Sequence, residues 1–76
     1  MTNSELLKKA IKESGMKISA MLDATGIKSY ATLRAKINNQ SEFTAAEIMT
    51  LCDLLSLDRS DREAIFFASD AESYSA

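Results

Sequence analysis

No proline interrupts the 76 residues, and the two glycines, Gly15 and Gly26, each follow a short stretch of helical periodicity. Long helical patterns with so few breakers favour an all-α fold, with helices that stop where glycine permits a left-handed residue. A first helix is predicted over residues 3–14, with Thr2 and Glu5 at capping-box spacing and Gly15 just past its end. Leu6, Leu7, Ala10 and Ile11 share one stripe of it, with Lys8, Lys9 and Lys12 largely off that stripe. A second, short helix over about residues 17–25 turns Met21, Leu22 and Thr25 inward, with Met16 as a staple before it. A third is predicted from Tyr30 to Asn38 with Ser29 as N-cap, followed by the polar loop Asn38, Asn39, Gln40, Ser41. Thr44 and Glu47 form a capping box before the stripe Ile48, Leu51, Cys52, Leu55, and Ser60 with Glu63 suggests a last helix over residues 60–69. These patterns predict one domain over 1–69 and a flexible tail over 70–76.

A chain of this length buries about 60% of its extended surface, which suffices for one core. Cys52 is the only cysteine, so no intrachain disulfide is available; that suits a reducing, cytoplasmic setting. No stretch approaches the roughly 18 apolar residues of a membrane span, and residues 1–13 lack the continuous apolar run of a signal peptide, so a soluble protein without a membrane partner is expected. Net charge is −2, but it is unevenly placed: residues 1–40 carry seven cations against three carboxylates, and residues 41–76 two against eight. Such a dipolar chain either orients on a phosphate backbone or is a solvated charge mixture, and charge alone does not choose between the two.

The stretch from Lys17 to Asn38 reads as short helix, glycine turn, helix, a pairing that presents its second helix as a ridge. With Leu33 set inward and 100° per residue, Ile37 and Tyr30 fall within about 60° of it. Ala31 and Ala35 then point nearly opposite, with Asn38 nearby and Arg34 and Thr32 on the flanks. Small residues, one long cationic donor and an amide suit a helix laid on base edges, where alanine permits close approach and arginine can donate twice to guanine.

The order Gly15-Met16-Lys17-Ile18-Ser19, Gly26-Ile27, Thr32-Leu33-Arg34-Ala35-Lys36-Ile37-Asn38, Ser41-Glu42-Phe43-Thr44-Ala45-Ala46-Glu47-Ile48 and Ile65-Phe66-Phe67-Ala68 resembles the lambda-repressor and Cro-like helix-turn-helix family. The likeness is greatest to short phage-type repressors of Gram-positive mobile elements, and covers nearly all of residues 5–68. It implies an all-α, compact five-helix domain, with the helix-turn-helix made by helices 2 and 3 and the third helix in the major groove of a double-stranded DNA operator. Carried over by position, Ser29, Tyr30, Ala31, Arg34, Ala35 and Asn38 would read bases. Lys17, Ser19, Lys28, Lys36, Asn39 and Gln40 would lie along the phosphate backbone, with Ile18 at the start of the second helix and Thr32 supporting the third. Two departures stand out. Leu22 occupies a position where the family usually has alanine, and the turn Lys28-Ser29-Tyr30 carries one residue more than usual.

Nothing in the chain supplies catalytic machinery. It has no histidine, and Cys52 lies on an inward stripe as a core thiol. Asp58, Asp61 and Glu63 suit a helix N-terminus, where the dipole favours negative charge. Met16, Met21 and Met49 read as core filler. No cofactor, metal or small-molecule substrate is expected. Ile65, Phe66 and Phe67 point 100° apart on a helix, so at least one should face outward, and the three together suggest a homodimer contact. The expected function is therefore a sequence-specific DNA-binding transcriptional regulator. The alternative is a protein-interaction module on the same scaffold, an antirepressor or modulator of another regulator, which the acidic half and the phenylalanines motivate.

Overall fold

In the computed structural model, which describes residues 1–67, five helices follow one another: α1 (Ser4–Ser14), α2 (Ile18–Thr25), α3 (Tyr30–Ile37), α4 (Ala45–Leu54) and α5 (Arg59–Phe66). The tail expected over 70–76 lies outside the described residues, as does the end of the expected 1–69 domain. Among the described residues there is no strand.

The two glycines end helices as expected. Gly15 (φ 66°) donates its N–H to the Lys12 carbonyl, and Gly26 (φ 77°) to that of Leu22. Thr25 helps to close α2: its hydroxyl donates to the Met21 carbonyl at 2.7 Å and accepts from the Ile27 N–H. Thr44 and Glu47 form the reciprocal capping box of α4.

Two capping residues differ from expectation by one or two positions. The cap of α1 is Asn3, whose Oδ1 accepts from the Leu6 N–H at 3.1 Å; the main chain of Thr2 is instead held by Asn39. The box of α5 is Asp58 with Asp61, two residues before the expected Ser60 and Glu63. The reason lies upstream. Ser56 is left-handed (φ 54°), and the Leu57 N–H returns to the Cys52 carbonyl, so the chain reverses at once and Asp58 is the next residue that can cap.

Eight residues of α2 or α3 would be marginal as isolated helices, so packing holds them. α2 lies on α3 and α4, and α1 on α5 and α3. Leu7, Met21, Leu33 and Leu51 are fully buried, surrounded by Ile27, Ile37, Leu55, Ile65 and Phe66. Phe43 meets Phe66 edge to face, ring centres 5.6 Å apart. Leu22 is half-buried and packs against this core.

Ile65 and Phe66, expected at a dimer contact, belong to the protein's own core. Adjacent helical positions lie about 100° apart, so both side chains can be covered when the inward direction falls between them. Only Phe67, which follows the helix, keeps surface, at 37% exposed. Met49, expected as core filler, is 64% exposed on the outer side of α4.

Ser56 holds its positive φ without glycine's freedom. Ser56→Gly is expected to stabilise the fold by roughly 0.5–1 kcal/mol, a rise in Tm of several degrees. A thermal melt followed by circular dichroism checks this, and an unchanged or lower Tm would contradict it.

Candidate nucleic-acid interface

Residues 26–29 join α2 to α3. Ile27 drops into the core at 6% exposed, which pins the turn, while Lys28 and Ser29 stay outside it. Ser29 then starts α3: its Oγ accepts the Thr32 N–H at 3.2 Å and lies 3.1 Å from the Thr32 hydroxyl. Leu33 and Ile37 bury the inner face of α3, as the helical projection predicts.

The other side of α3 is open. Ala31, Arg34 and Asn38 are exposed, Tyr30 is 52% exposed, and Ala35 is half-buried. Among the described residues Arg34 makes no ion pair, so no carboxylate there takes up its guanidinium donors. Lys17, Ser19 and Lys28 are exposed on the same two-helix unit. Lys17 is the N-cap of α2 and makes no side-chain capping bond, so the first N–H groups of that helix have no side-chain acceptor.

Two residues expected along a phosphate backbone are otherwise engaged. Lys36 is half-buried, and its Nζ donates to Glu47 Oε1 at 2.6 Å, with the two side chains 12% and 13% exposed. The helical projection carries the signal for this: Lys36 lies about 60° from Leu33, on the flank that turns towards α4. Glu47 Oε1 also accepts the Thr44 N–H, so one carboxylate closes the α4 cap and ties α3 to it. Asn39 is exposed, but its amide is hydrogen-bonded to Thr2 in both directions, a pairing that no sequence pattern announces. Gln40 is exposed and donates its backbone N–H to the Ala35 carbonyl at 2.8 Å, which with Asn39 (φ 65°) closes the end of α3.

Desolvation works to raise the Glu47 pKa, but the Lys36 ammonium and the Thr44 N–H outweigh it and hold the carboxyl below its ordinary 4.5. A depressed folded-state pKa stabilises the fold above the unfolded value, and that contribution is lost as pH falls through the folded one. Glu47→Gln keeps an acceptor for both donors and is expected to cost about 1 kcal/mol at pH 7. That difference should shrink as the pH is lowered below 4.5. Urea melts of both chains across pH 3–7 measure it; a gap that widens in acid would contradict the pairing. Burial raises the Cys52 thiol above its usual range, so little thiolate is present near neutrality.

Among the described residues no group of three His, Cys, Asp or Glu side chains is placed to hold a metal ion. No helix there is long and apolar enough to cross a membrane. What the surface offers is a short exposed ridge with small residues along its crest, a free guanidinium and flanking lysines. A family model described as the Cro/C1-type HTH DNA-binding domain matches residues 6–61, a span that includes all of α2, the turn and α3. No curated protein and no solved structure matches the chain.

Proposed function

We propose that this chain, which belongs to the Cro/C1-type helix-turn-helix DNA-binding domain family, is a transcription regulator of the phage-repressor type that reads one operator through the outer face of α3. The observation that carries this reading is the uncovered crest of α3, with Ala31, Arg34 and Asn38 exposed over an inner face held by Leu33 and Ile37. Eight helical residues span about 12 Å, close to the width of the major groove. Ala31 and Ala35 permit close approach. Arg34 can donate two hydrogen bonds to guanine, and Asn38 can pair with adenine.

Phosphates would be held from the flanks. The first turn of α2 offers N–H groups and the positive end of the helix dipole, beside Lys17 and Ser19, and Lys28 extends the contact across the turn. Lys36, paired with Glu47, sets the seat of α3 rather than touching DNA. Two copies would bind half-sites about one helical turn apart, and Phe67 is the residue of the α5 trio with surface to offer a second copy.

Selection from a pool of random duplexes, followed by affinity measurement across a salt series, tests this. One enriched sequence with a steep negative slope of log affinity against log salt is expected. Lys28→Ala should weaken every duplex alike and reduce the slope by about 1. An absence of enrichment together with salt-independent capture of a partner protein would favour the interaction-module reading instead.

A further inference from the structure

Residues 2–4 cross the C-terminal ends of α3 and α5. The Thr2 N–H donates to Asn39 Oδ1 at 2.9 Å, and Asn39 Nδ2 donates back to the Thr2 carbonyl at 2.8 Å. One side-chain amide thus satisfies both main-chain groups of one residue. Beyond that pair, the Asn3 N–H donates to the Ile65 carbonyl in α5, and the Ser4 hydroxyl donates to the Ile37 carbonyl at the end of α3. Asn39 stands where the chain leaves α3 in the left-handed region, at φ 65°. Glycine meets that backbone requirement most easily and asparagine also tolerates it, but only asparagine adds an amide. The residue therefore combines a turn that glycine could make with a clip that glycine could not.

The clip bears on the reading face. Asn38, the cap of α3, immediately precedes Asn39, and Arg34 lies one turn before it with its carbonyl accepting the Asn38 N–H at 3.0 Å. Base-edge hydrogen bonds tolerate only a few tenths of an ångström, so the tilt of an eight-residue helix matters to every one of them. We propose that Asn39 is a positioning residue for DNA recognition: through Thr2 and Asn3 it ties the end of α3 to α5 and fixes the angle at which Arg34 and Asn38 are presented. This rests on the DNA-reading role proposed above.

A double-mutant cycle tests it, with Asn39→Gly, a chain beginning at Asn3, and the two changes combined. The main readout is the ratio of affinity for the selected duplex to that for random duplex, taken well below each melting midpoint. Each single change should lower the ratio about tenfold, the discrimination carried by one good base contact. The combined chain should lose no more than either alone, and the salt slope should stay unchanged. A second readout, without DNA, is amide exchange over residues 37–40, which should quicken in all three chains. Losses that multiply would mean that Asn39 acts independently of Thr2 and would overturn the proposal. So would a lower melting midpoint with an unchanged ratio, which marks a merely structural bond. If the unaltered chain prefers no duplex, the DNA role fails and this proposal with it. Unchanged amide exchange removes the clip alone, whatever the DNA results.

Discussion

Leu33→Ala is expected to lower the free energy of unfolding by about 2–5 kcal/mol, the cost of a lost side chain plus the cavity it leaves. Leu33 is 1% exposed and, with Ile37, anchors α3, a helix too short to persist unless its inner face is buried. A domain of this size has about 5–15 kcal/mol in hand, so the change removes a large share of it. Urea melts should show a much lower midpoint with an unchanged slope. Leu6→Ala is the control, because Leu6 is 38% exposed on α1 and its truncation should cost clearly less than that of Leu33. Equal melts for the two variants would mean that α3 is not held through Leu33.

Arg34→Ala is expected to leave the melt nearly unchanged and to cost about 1–3 kcal/mol in affinity for the selected duplex. The side chain is exposed and makes no ion pair among the described residues, so its removal breaks no internal ion pair there. The loss should be confined to one base pair of each half-site. The variant should bind a duplex altered at that pair about as well as the original, since the discriminating donor is gone. An equal loss on every sequence would make Arg34 a phosphate contact and leave the base-reading to other residues.

The elements that sequence made legible are those in which one residue settles the matter locally. Gly15 and Gly26 stop helices because a left-handed residue is needed there, and Thr44 with Glu47 starts α4 because two side chains close two free N–H groups. Ser29 and the Leu33–Ile37 pair placed α3 and its outer face by the same local logic. The start of α5 was harder, since Asp58 with Asp61 and Ser60 with Glu63 offer the same spacing. A left-handed Ser56, with nothing in its identity to mark it, decides between them.

The exposure of the α3 crest was legible in sequence, whereas the internal partners of Lys36 and Asn39 were not. The helical projection puts Lys36 towards the inner side of α3, but the partner it meets there, Glu47 eleven residues on, is set by the α3–α4 turn. Asn39 meets Thr2 across 37 residues, a contact set by how helices pack and by no local pattern. Ile65 and Phe66 were legible as large and apolar, but which way they face is set by tertiary packing such as the Phe43–Phe66 contact.

The uncovered crest of α3 is tested most directly by titrating the isotope-labelled chain with its selected duplex and following every backbone and Arg side-chain signal. The largest shifts should fall on Ala31, Arg34, Ala35 and Asn38, with smaller ones at Lys17, Ser19 and Lys28 and none along the outer face of α5. Shifts centred on Met49 and Phe67, with α3 silent, would contradict the assignment of α3 as the reading helix.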